Sequence, residues 1–250
     1  MTNILLCGSS GKMGRVVIEA CERDADVAVL CGVDAFSKGE LSFPEYKSFD
    51  DVKEIPDVVV DFSNPINLDG ICDFCTKHAV PAVICTTGFN EEQIAKIKEL
   101  SESVPVFYSG NMSLGVNLLI ELSKKATAVF GSAFDIEIIE KHHNQKIDAP
   151  SGTALMIADA ISDVMTEEPQ YVYDRHAYRA KRKQNEIGIH AVRGGTIVGE
   201  HSVIFAGNDE VLTITHQAQS KSLFATGAVS AAKFVCGKAP KMYNMSDMLS

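Results

Sequence analysis

The chain has no surplus of positive charge. Its 23 Lys and Arg stand against 33 Asp and Glu, a formal net charge of -10, which excludes the basic footprint of a general nucleic-acid binder. No apolar run approaches the ~18 residues of a membrane span. The first residues enter a strand-like run at once, with no basic segment, apolar stretch or small-residue cleavage site before it. A cytoplasmic protein that engages neither membrane nor nucleic acid is expected. A disulfide framework is also missing: the seven cysteines are odd in number and scattered, which suits reduced, buried thiols. Cys72-Asp73-Phe74-Cys75 has no second pair with which to hold zinc and lies inside a helical pattern, so packing is expected there, and no metal site elsewhere. Internal repeats and low-complexity tracts are lacking. What remains is a chain of 250 residues with 46% hydrophobic content, enough for one large domain or two modest ones.

Up to about residue 110, short Val- and Ile-rich runs at 3–7, 27–33, 57–62, 81–85 and 104–108 alternate with helical patterns at 12–22, 65–79 and 90–102. This alternation predicts βαβ units feeding a parallel sheet, with Asn64-Pro65 and Asn90 as helix starts and right-handed crossovers. The pattern then changes to a helix at 114–130, a strand at 134–140, a helix at 153–165 and alternating segments at 187–193, 197–205 and 210–217. These last three predict antiparallel strands turning at Gly194-Gly195 and Gly207-Asn208. Arg175 to Lys183 has no apolar period and predicts an exposed loop or short helix. Ser222 to Val235 predicts a helix of small and apolar residues that returns to the first domain.

Gly8, Gly11 and Gly14 follow the first strand and open the first helix, within Cys7-Gly8-Ser9-Ser10-Gly11-Lys12-Met13-Gly14. Glycine is needed where the chain turns tightly, brings its backbone close to a pyrophosphate, and lets the helix pack near the strand. The spacing is G-x-x-G-x-x-G rather than G-x-G-x-x-G, but strand, turn and helix stand in the right order. Asp34 ends the second strand, where a carboxylate can accept both ribose hydroxyls of a dinucleotide. The expected fold is therefore α/β: a Rossmann-like parallel-sheet domain, residues 1–112 plus 219–250, with a second α+β domain over 113–218.

A 2′-phosphate needs a nearby cation and is repelled by a carboxylate. Asp34 is followed by Ala35 and Phe36; Lys38 alone lies close in sequence, with Arg15 and Lys12 as helpers on the first helix. NADH is thus expected to serve at least as well as NADPH. Further along the expected C-terminal sheet edge, Asp61-Phe62-Ser63, Cys85-Thr86-Thr87-Gly88 and Gly110-Asn111-Met112 end later strands. They are expected to wall the cofactor through Phe62, Ser63, Thr86, Thr87, Gly88, Gly110, Asn111 and Met112.

The densest polar segment is Glu140-Lys141-His142-His143-Asn144-Gln145-Lys146-Ile147-Asp148-Ala149-Pro150-Ser151-Gly152-Thr153. An imidazole titrates near neutrality and suits acid catalysis, while an ammonium is a strong donor to a carboxylate. A helix starting around Ser151 to Thr153 would turn its positive end toward a second carboxylate. The combination fits a dianion. His78, His176, His190 and His201 lack such a setting and are expected to be structural or superficial.

This segment resembles the signature of the 4-hydroxy-tetrahydrodipicolinate reductase (dihydrodipicolinate reductase) family. The likeness spans nearly the whole chain, through Asp61-Phe62-Ser63, Thr86-Thr87-Gly88-Phe89, Ser113-Leu114-Gly115-Val116-Asn117, Val192-Arg193-Gly194-Gly195, Ile197-Val198-Gly199-Glu200-His201 and Thr215-His216 in order. The resemblance implies hydride transfer from NADH or NADPH to the cyclic unsaturated imine derived from hydroxytetrahydrodipicolinate. It implies His142 as the general acid and Lys146 as its charged partner. It also implies that His143, Ser151, Gly152 and Thr153 hold the carboxylates of a small dicarboxylate substrate, with Thr87 contacting it from the cofactor side, and that the second domain binds substrate and builds a homotetramer through the strands at 187–217. The chain departs from the family pattern at Cys85, where glycine is common, and at Ala35, where NADPH-using members often carry arginine. Another reductase of small keto or imino acids would share Gly8 to Gly14 and Asp34 without requiring the His-His-Lys run. A silent dinucleotide sensor would lose the acid and its cation, and both are present.

Overall fold

A computed structural model of the chain describes residues 1–176 and 179–249. In chain order the elements are β1 (Thr2–Cys7), α1 (Lys12–Glu22), β2 (Val27–Val33), β3 (Glu45–Tyr46), β4 (Val58–Asp61), α2 (Leu68–His78), β5 (Ala82–Ile84), α3 (Glu91–Ser103) and β6 (Pro105–Tyr108). There follow α4 (Leu114–Phe130), β7 (Asp135–His142), α5 (Gly152–Ser162), β8 (Gln170–Val172), β9 (Glu186–Arg193), β10 (Gly199–Ala206) and β11 (Val211–Ala218), then α6 (Ser222–Val235), β12 (Lys241–Tyr243) and α7 (Met245–Leu249). The chain divides into two compact units, Met1–Leu114 together with the segment from Ser222 onward, and Gly115–Lys221.

The first unit is built on a parallel sheet whose strand order is β3-β2-β1-β4-β5-β6-β12. The order reverses between β1 and β4, so a crevice opens beyond their C-terminal ends, the place where open α/β sheets take ligands. Side chains alternate along each strand. Ile4 and Leu6 join the core under α1 and α6, while Leu5 and Cys7 join the one under α2 and α3. Both faces are thus covered, which is why these strands read as continuous apolar runs. Asn90 starts α3 through a reciprocal capping box: its side chain accepts from Gln93 N at 2.9 Å and its own N–H donates to Gln93 Oε1 at 3.1 Å. The helix expected from 65 instead begins as a 3-10 turn over Pro65–Asn67, and α2 starts at Leu68. Cys75 is buried in the core and Cys72 packs against it.

Two- and three-residue strands carry no readable period: β5 stands out only as part of an apolar run, and β3, β8 and β12, which lack one, were not expected. The runs expected as third, fourth and fifth strands are β4, β5 and β6.

The second unit holds a five-stranded sheet in the order β11-β10-β7-β9-β8 among the described residues. One face buries Ile136, Ile138, Ile187, Ile189, Val203 and Phe205 against α4 and α5. Only β10 and β11 form the hairpin expected around Gly207-Asn208. The strand at 187–193, expected to be antiparallel, is β9, which lies parallel to β7 and to β8. The reason is geometric. Residues 194–198 must reach across β7, about 10 Å for two strand spacings, and an extended five-residue link easily does so. Gly194 N donates to His142 O at 2.9 Å, so the glycine pair continues the β7–β9 pairing instead of reversing it.

The expectation for Arg175 to Lys183 partly falls outside the described residues, at Ala177 and Tyr178. Within the described part, Arg175 and Arg182 are not simply solvated. Arg175 bridges Glu137 and Glu186, and Arg182 reaches Asp135, Glu137 and the carbonyls of Ile136 and Glu186.

Candidate active site

The glycine loop follows β1 at the switch between β1 and β4. Gly8 has φ +83°, and a Cβ there would stand 2.6 Å from the carbonyl oxygen of Phe62, so the β1 and β4 turns touch only because this residue has no side chain. A Cβ on Gly14 would collide with the carbonyls of Gly8 and Ser9, which glycine allows to lie against the first turn of α1. Gly11 is the N-cap of α1 and brings no side-chain cap. Backbone donors at a helix start, with the positive end of the dipole, suit a phosphate. Asp34 follows β2, and its carboxylate is pinned by Ser10 N at 3.1 Å and Phe36 N at 2.9 Å. Lys12 is exposed and Met13 packs on the core. With the exposed start of α1 and the pinned Asp34 carboxylate side by side, this loop fits a dinucleotide.

Beyond β4, buried Asp61 accepts from Ser63 N at 3.0 Å and Ser63 Oγ at 2.5 Å, and Thr86 Oγ1 beyond β5 accepts from the same Ser63 N at 3.0 Å. Burial pushes the Asp61 carboxyl up, against the hydrogen bonds from Ser63 and Thr86. The two turns are therefore tied together. Phe62 is half-buried, and Thr87 and Gly88 are exposed. Cys85 needs no left-handed backbone; its side chain is 8% exposed and enters the core. Beyond β6, Gly110 is exposed and Asn111 Oδ1 accepts from Ser113 N at 2.9 Å. The Met112 side chain is 3% exposed and belongs to the core, so this residue can offer a ligand only backbone.

In the second unit, His142 ends β7 with 8% exposure. Two residues earlier on the same strand face, Glu140 is fully buried and accepts from His142 Nδ1 at 2.7 Å, from both terminal nitrogens of Arg193 at 2.7 Å, and from Ser151 N at 2.9 Å. Burial pushes the Glu140 carboxyl up, but Arg193, His142 and Ser151 outweigh it and hold it below the ordinary range. An ionised carboxylate can only accept. Nδ1 of His142 therefore carries a proton, and Nε2 is the nitrogen left for chemistry. A Cβ on Gly199 would stand 3.1 Å from that Nε2, so glycine there leaves the imidazole its room.

Ser151 caps α5, its Oγ accepting from Ala154 N at 3.1 Å and lying 3.0 Å from His201 Nε2. The His142 and His201 rings meet edge to face at 5.2 Å. Burial, then the neighbouring His142, lowers His201 to about 4, so it is neutral at pH 7. Lys146 lies in the turn after β7, with Nζ 2.9 Å from Asp148 Oδ1. The hydrogen bond from Lys146, joined by the Gly152 N–H, holds Asp148 below the usual carboxylate range. This corner thus already grips one carboxylate. A Cβ on Gly152 would meet nothing within 4 Å, so the space before α5 is open. Thr153 is half-buried in the first turn of α5, and His143 is half-buried beside His142.

Models of the dihydrodipicolinate reductase N-terminus and C-terminus match residues 2–112 and 115–249. The chain belongs to the dihydrodipicolinate reductase family. It is 51% identical over all of its length to 98% of a 4-hydroxy-tetrahydrodipicolinate reductase of Caldanaerobacter subterraneus subsp. tengcongensis, and 46% identical, with the same coverages, to one of Clostridium tetani. A dipicolinate-bound dihydrodipicolinate reductase from Paenisporosarcina sp. TG-14 superposes with TM-score 0.83 at 25% identity, covering 98% of this chain and 97% of the other. A probable dehydrogenase from Thermotoga maritima shares the fold at 13% identity and TM-score 0.64. As a dihydrodipicolinate reductase the chain is an NAD(P)H-dependent oxidoreductase with a Rossmann-like sheet. No helix among the described residues is long and apolar enough to cross a membrane.

Two side chains that set the surroundings of His142, Arg193 and Glu140, were not singled out from the sequence. His201, expected to be structural or superficial, is structural: it is buried and stands against both His142 and Ser151. Arg193 was noted only as a landmark, and Glu140 only as part of the segment. The period of two along β7 puts 140 and 142 on one face and could have revealed Glu140. Arg193 becomes visible only with the β7–β9 register, which sets it opposite His142.

Proposed function

We propose that the chain carries out its family's reduction with residues split between the two units: the dinucleotide on the first, substrate and proton on the second. The substrate is the cyclic unsaturated imine derived from 4-hydroxy-tetrahydrodipicolinate and the product is tetrahydrodipicolinate, in lysine and diaminopimelate biosynthesis. The observation that carries this reading is a buried His142 whose Nδ1 is fixed by Glu140 in the same corner as Lys146 and the start of α5.

Gly8, Ser10, Gly11, Lys12, Met13 and Gly14 would hold the pyrophosphate and Asp34 the ribose. Phe62, Ser63, Thr86, Thr87, Gly88, Gly110, Asn111 and the backbone of Met112 would line the remaining edge. When bound, the reduced nicotinamide supplies a hydride. His142, protonated on both nitrogens, then gives its Nε2 proton to the enamine-like carbon of the reduced substrate and keeps Nδ1–H on Glu140; water restores the lost proton. Lys146 leaves Asp148 for a substrate carboxylate and stabilises charge that develops during the reaction. His143, Ser151, Gly152 and Thr153 seat the second carboxylate at the positive end of α5, and Thr87 approaches substrate from the cofactor side.

Ala35 after Asp34 favours NADH over NADPH. The sheet face opposite α4 and α5, with half-exposed Ile139 and Ile204 beside the exposed Thr213 and Thr215, suits pairing of second units into a homotetramer in the cytoplasm. The test is oxidation of NADH and of NADPH with freshly generated hydroxytetrahydrodipicolinate, with sedimentation for the oligomer. Substrate-dependent oxidation with kcat/KM for NADH at least equal to that for NADPH is expected. A large NADPH preference would reject the cofactor reading, and a monomer the assembly.

A further inference from the structure

The short strand β3 matters beyond the sheet edge. It pairs with the end of β2, Gly32 against Glu45 and Val33 against Tyr46, and Asp34 N donates to Tyr46 O at 2.9 Å. Glu45 is thereby fixed beside Asp34. Its Oε1 accepts from Ser9 Oγ and from Ser10 Oγ, each at 3.0 Å, while Asp34 Oδ2 accepts from Ser10 N at 3.1 Å. Two carboxylates hold Ser10 from two sides. Burial pushes the Glu45 carboxyl up, but hydrogen bonds from Ser37, Ser9 and Ser10 outweigh it and leave it below its ordinary range, hence ionised at neutral pH.

Asp34 and Glu45 line a cleft of about 280 Å³ together with Arg15, Lys38 and Glu40, and Glu45 Oε2 is buried behind it. Arg15, Lys38 and Glu40 are exposed. The cations there stand on flexible stems in water, whereas Asp34 and Glu45 are held by hydrogen bonds and cannot swing away from an arriving anion. The pinned charge, not the mobile charge, sets what the cleft rejects.

We infer that Glu45 is a specificity-determining residue of this cleft, excluding the 2′-phosphate of NADPH while Asp34 grips the ribose hydroxyls. The inference rests on reading the cleft as the ribose end of the dinucleotide site. Asp34 accepts the diol and repels a 2′-phosphate with the same charge, and Glu45 adds a second negative charge beside it. Glu45 Oε1 is committed to two serines, so its negative charge acts on the phosphate without serving the diol. The cations needed for a 2′-phosphate, Arg15 and Lys38, are already at the cleft and are offset by the second carboxylate.

The test is calorimetric measurement of NADH and NADPH dissociation constants for the wild type, Glu45→Gln and Glu45→Asp, alongside kcat/KM for each cofactor. Glu45→Gln keeps the size and an acceptor for the serines but removes the charge, and should shift relative affinity toward NADPH about tenfold. Glu45→Asp should leave the ratio within about twofold of wild type. The Glu45→Gln shift should shrink as salt is raised. An unchanged ratio in Glu45→Gln would overturn the inference, and so would a parallel loss of both cofactors, which would make Glu45 only a brace for the loop. The wild-type ratio judges the NADH preference separately: a wild type that favours NADPH rejects that preference, and the change produced by Glu45→Gln still decides the role of Glu45.

Discussion

At the glycine loop the chain is shaped by missing side chains: Gly8 and Gly14 let backbone pack on backbone, and Gly11 starts α1 with no side-chain cap. At the end of β7 it offers side chains, with a fully buried Glu140 holding His142, Arg193 and Ser151 at 2.7 to 2.9 Å. The first arrangement depends on what is absent, and in the proposed reaction it holds a group that arrives with its own reactivity. The second depends on charges set against one another, and in the proposed reaction it is where the protein itself holds and releases a proton. A backbone cradle tolerates little added bulk, whereas a charged network tolerates little change of charge.

That contrast predicts where each corner breaks. Among the residues around His142, Lys146→Ala should have the largest effect, lowering kcat by about 10²–10³ and also raising KM, since a donor to both ground and transition state is lost. The dinucleotide dissociation constant, measured by calorimetry, should stay close to wild type. An unchanged KM would leave Lys146 without its ground-state contact.

Acid should weaken the second unit through His201. Above pH 6.5 neither the folded nor the unfolded form is protonated there, and the full stability is present. As pH falls below 6.5 the unfolded chain takes up a proton that the folded one refuses until about pH 4. Stability should therefore drop by up to about 3 kcal/mol across that window. Denaturant titrations of wild type and His201→Asn between pH 4 and 7 would show it, and equal slopes in the two would remove His201 as the cause.

Glu140→Gln should lower kcat about 10–100-fold, because a neutral amide holds the Nδ1 proton less firmly than a carboxylate and no longer balances the charge of Arg193. A kcat unchanged across the pH range would end the positioning role. Gly14→Ala comes last, weakening NADH binding about tenfold as α1 shifts to relieve the new contact, at a stability cost of about 1–3 kcal/mol. Full NADH affinity in that variant would show that the cradle has slack the glycine geometry denies.

The same contrast explains what could be read in the sequence. The glycine loop, Asp34 and the Asn90 cap are local patterns, each within reach of one turn or one strand end, and their residues stand in the linear order that the chemistry uses. The His142 segment was also visible, as a cluster of ionisable groups. Its supports were not, since Arg193 and His201 lie 51 and 59 residues from His142 and arrive through the register of β9 and β10 on β7. The expectation that 187–193 is antiparallel failed for the same reason: alternation shows which side of a strand is buried, not which neighbour it pairs with. Glu45 stayed hidden because a two-residue strand has no period at all.

His142 bears the central claim, and steady-state kinetics of His142→Gln at saturating NADH test it most directly. A general acid that acts only in the transition state predicts kcat lower by about 10²–10⁴, with KM and the NADH dissociation constant within about threefold of wild type. Turnover near the wild-type value would contradict the assignment and with it the division of labour between the backbone cradle and the charged corner.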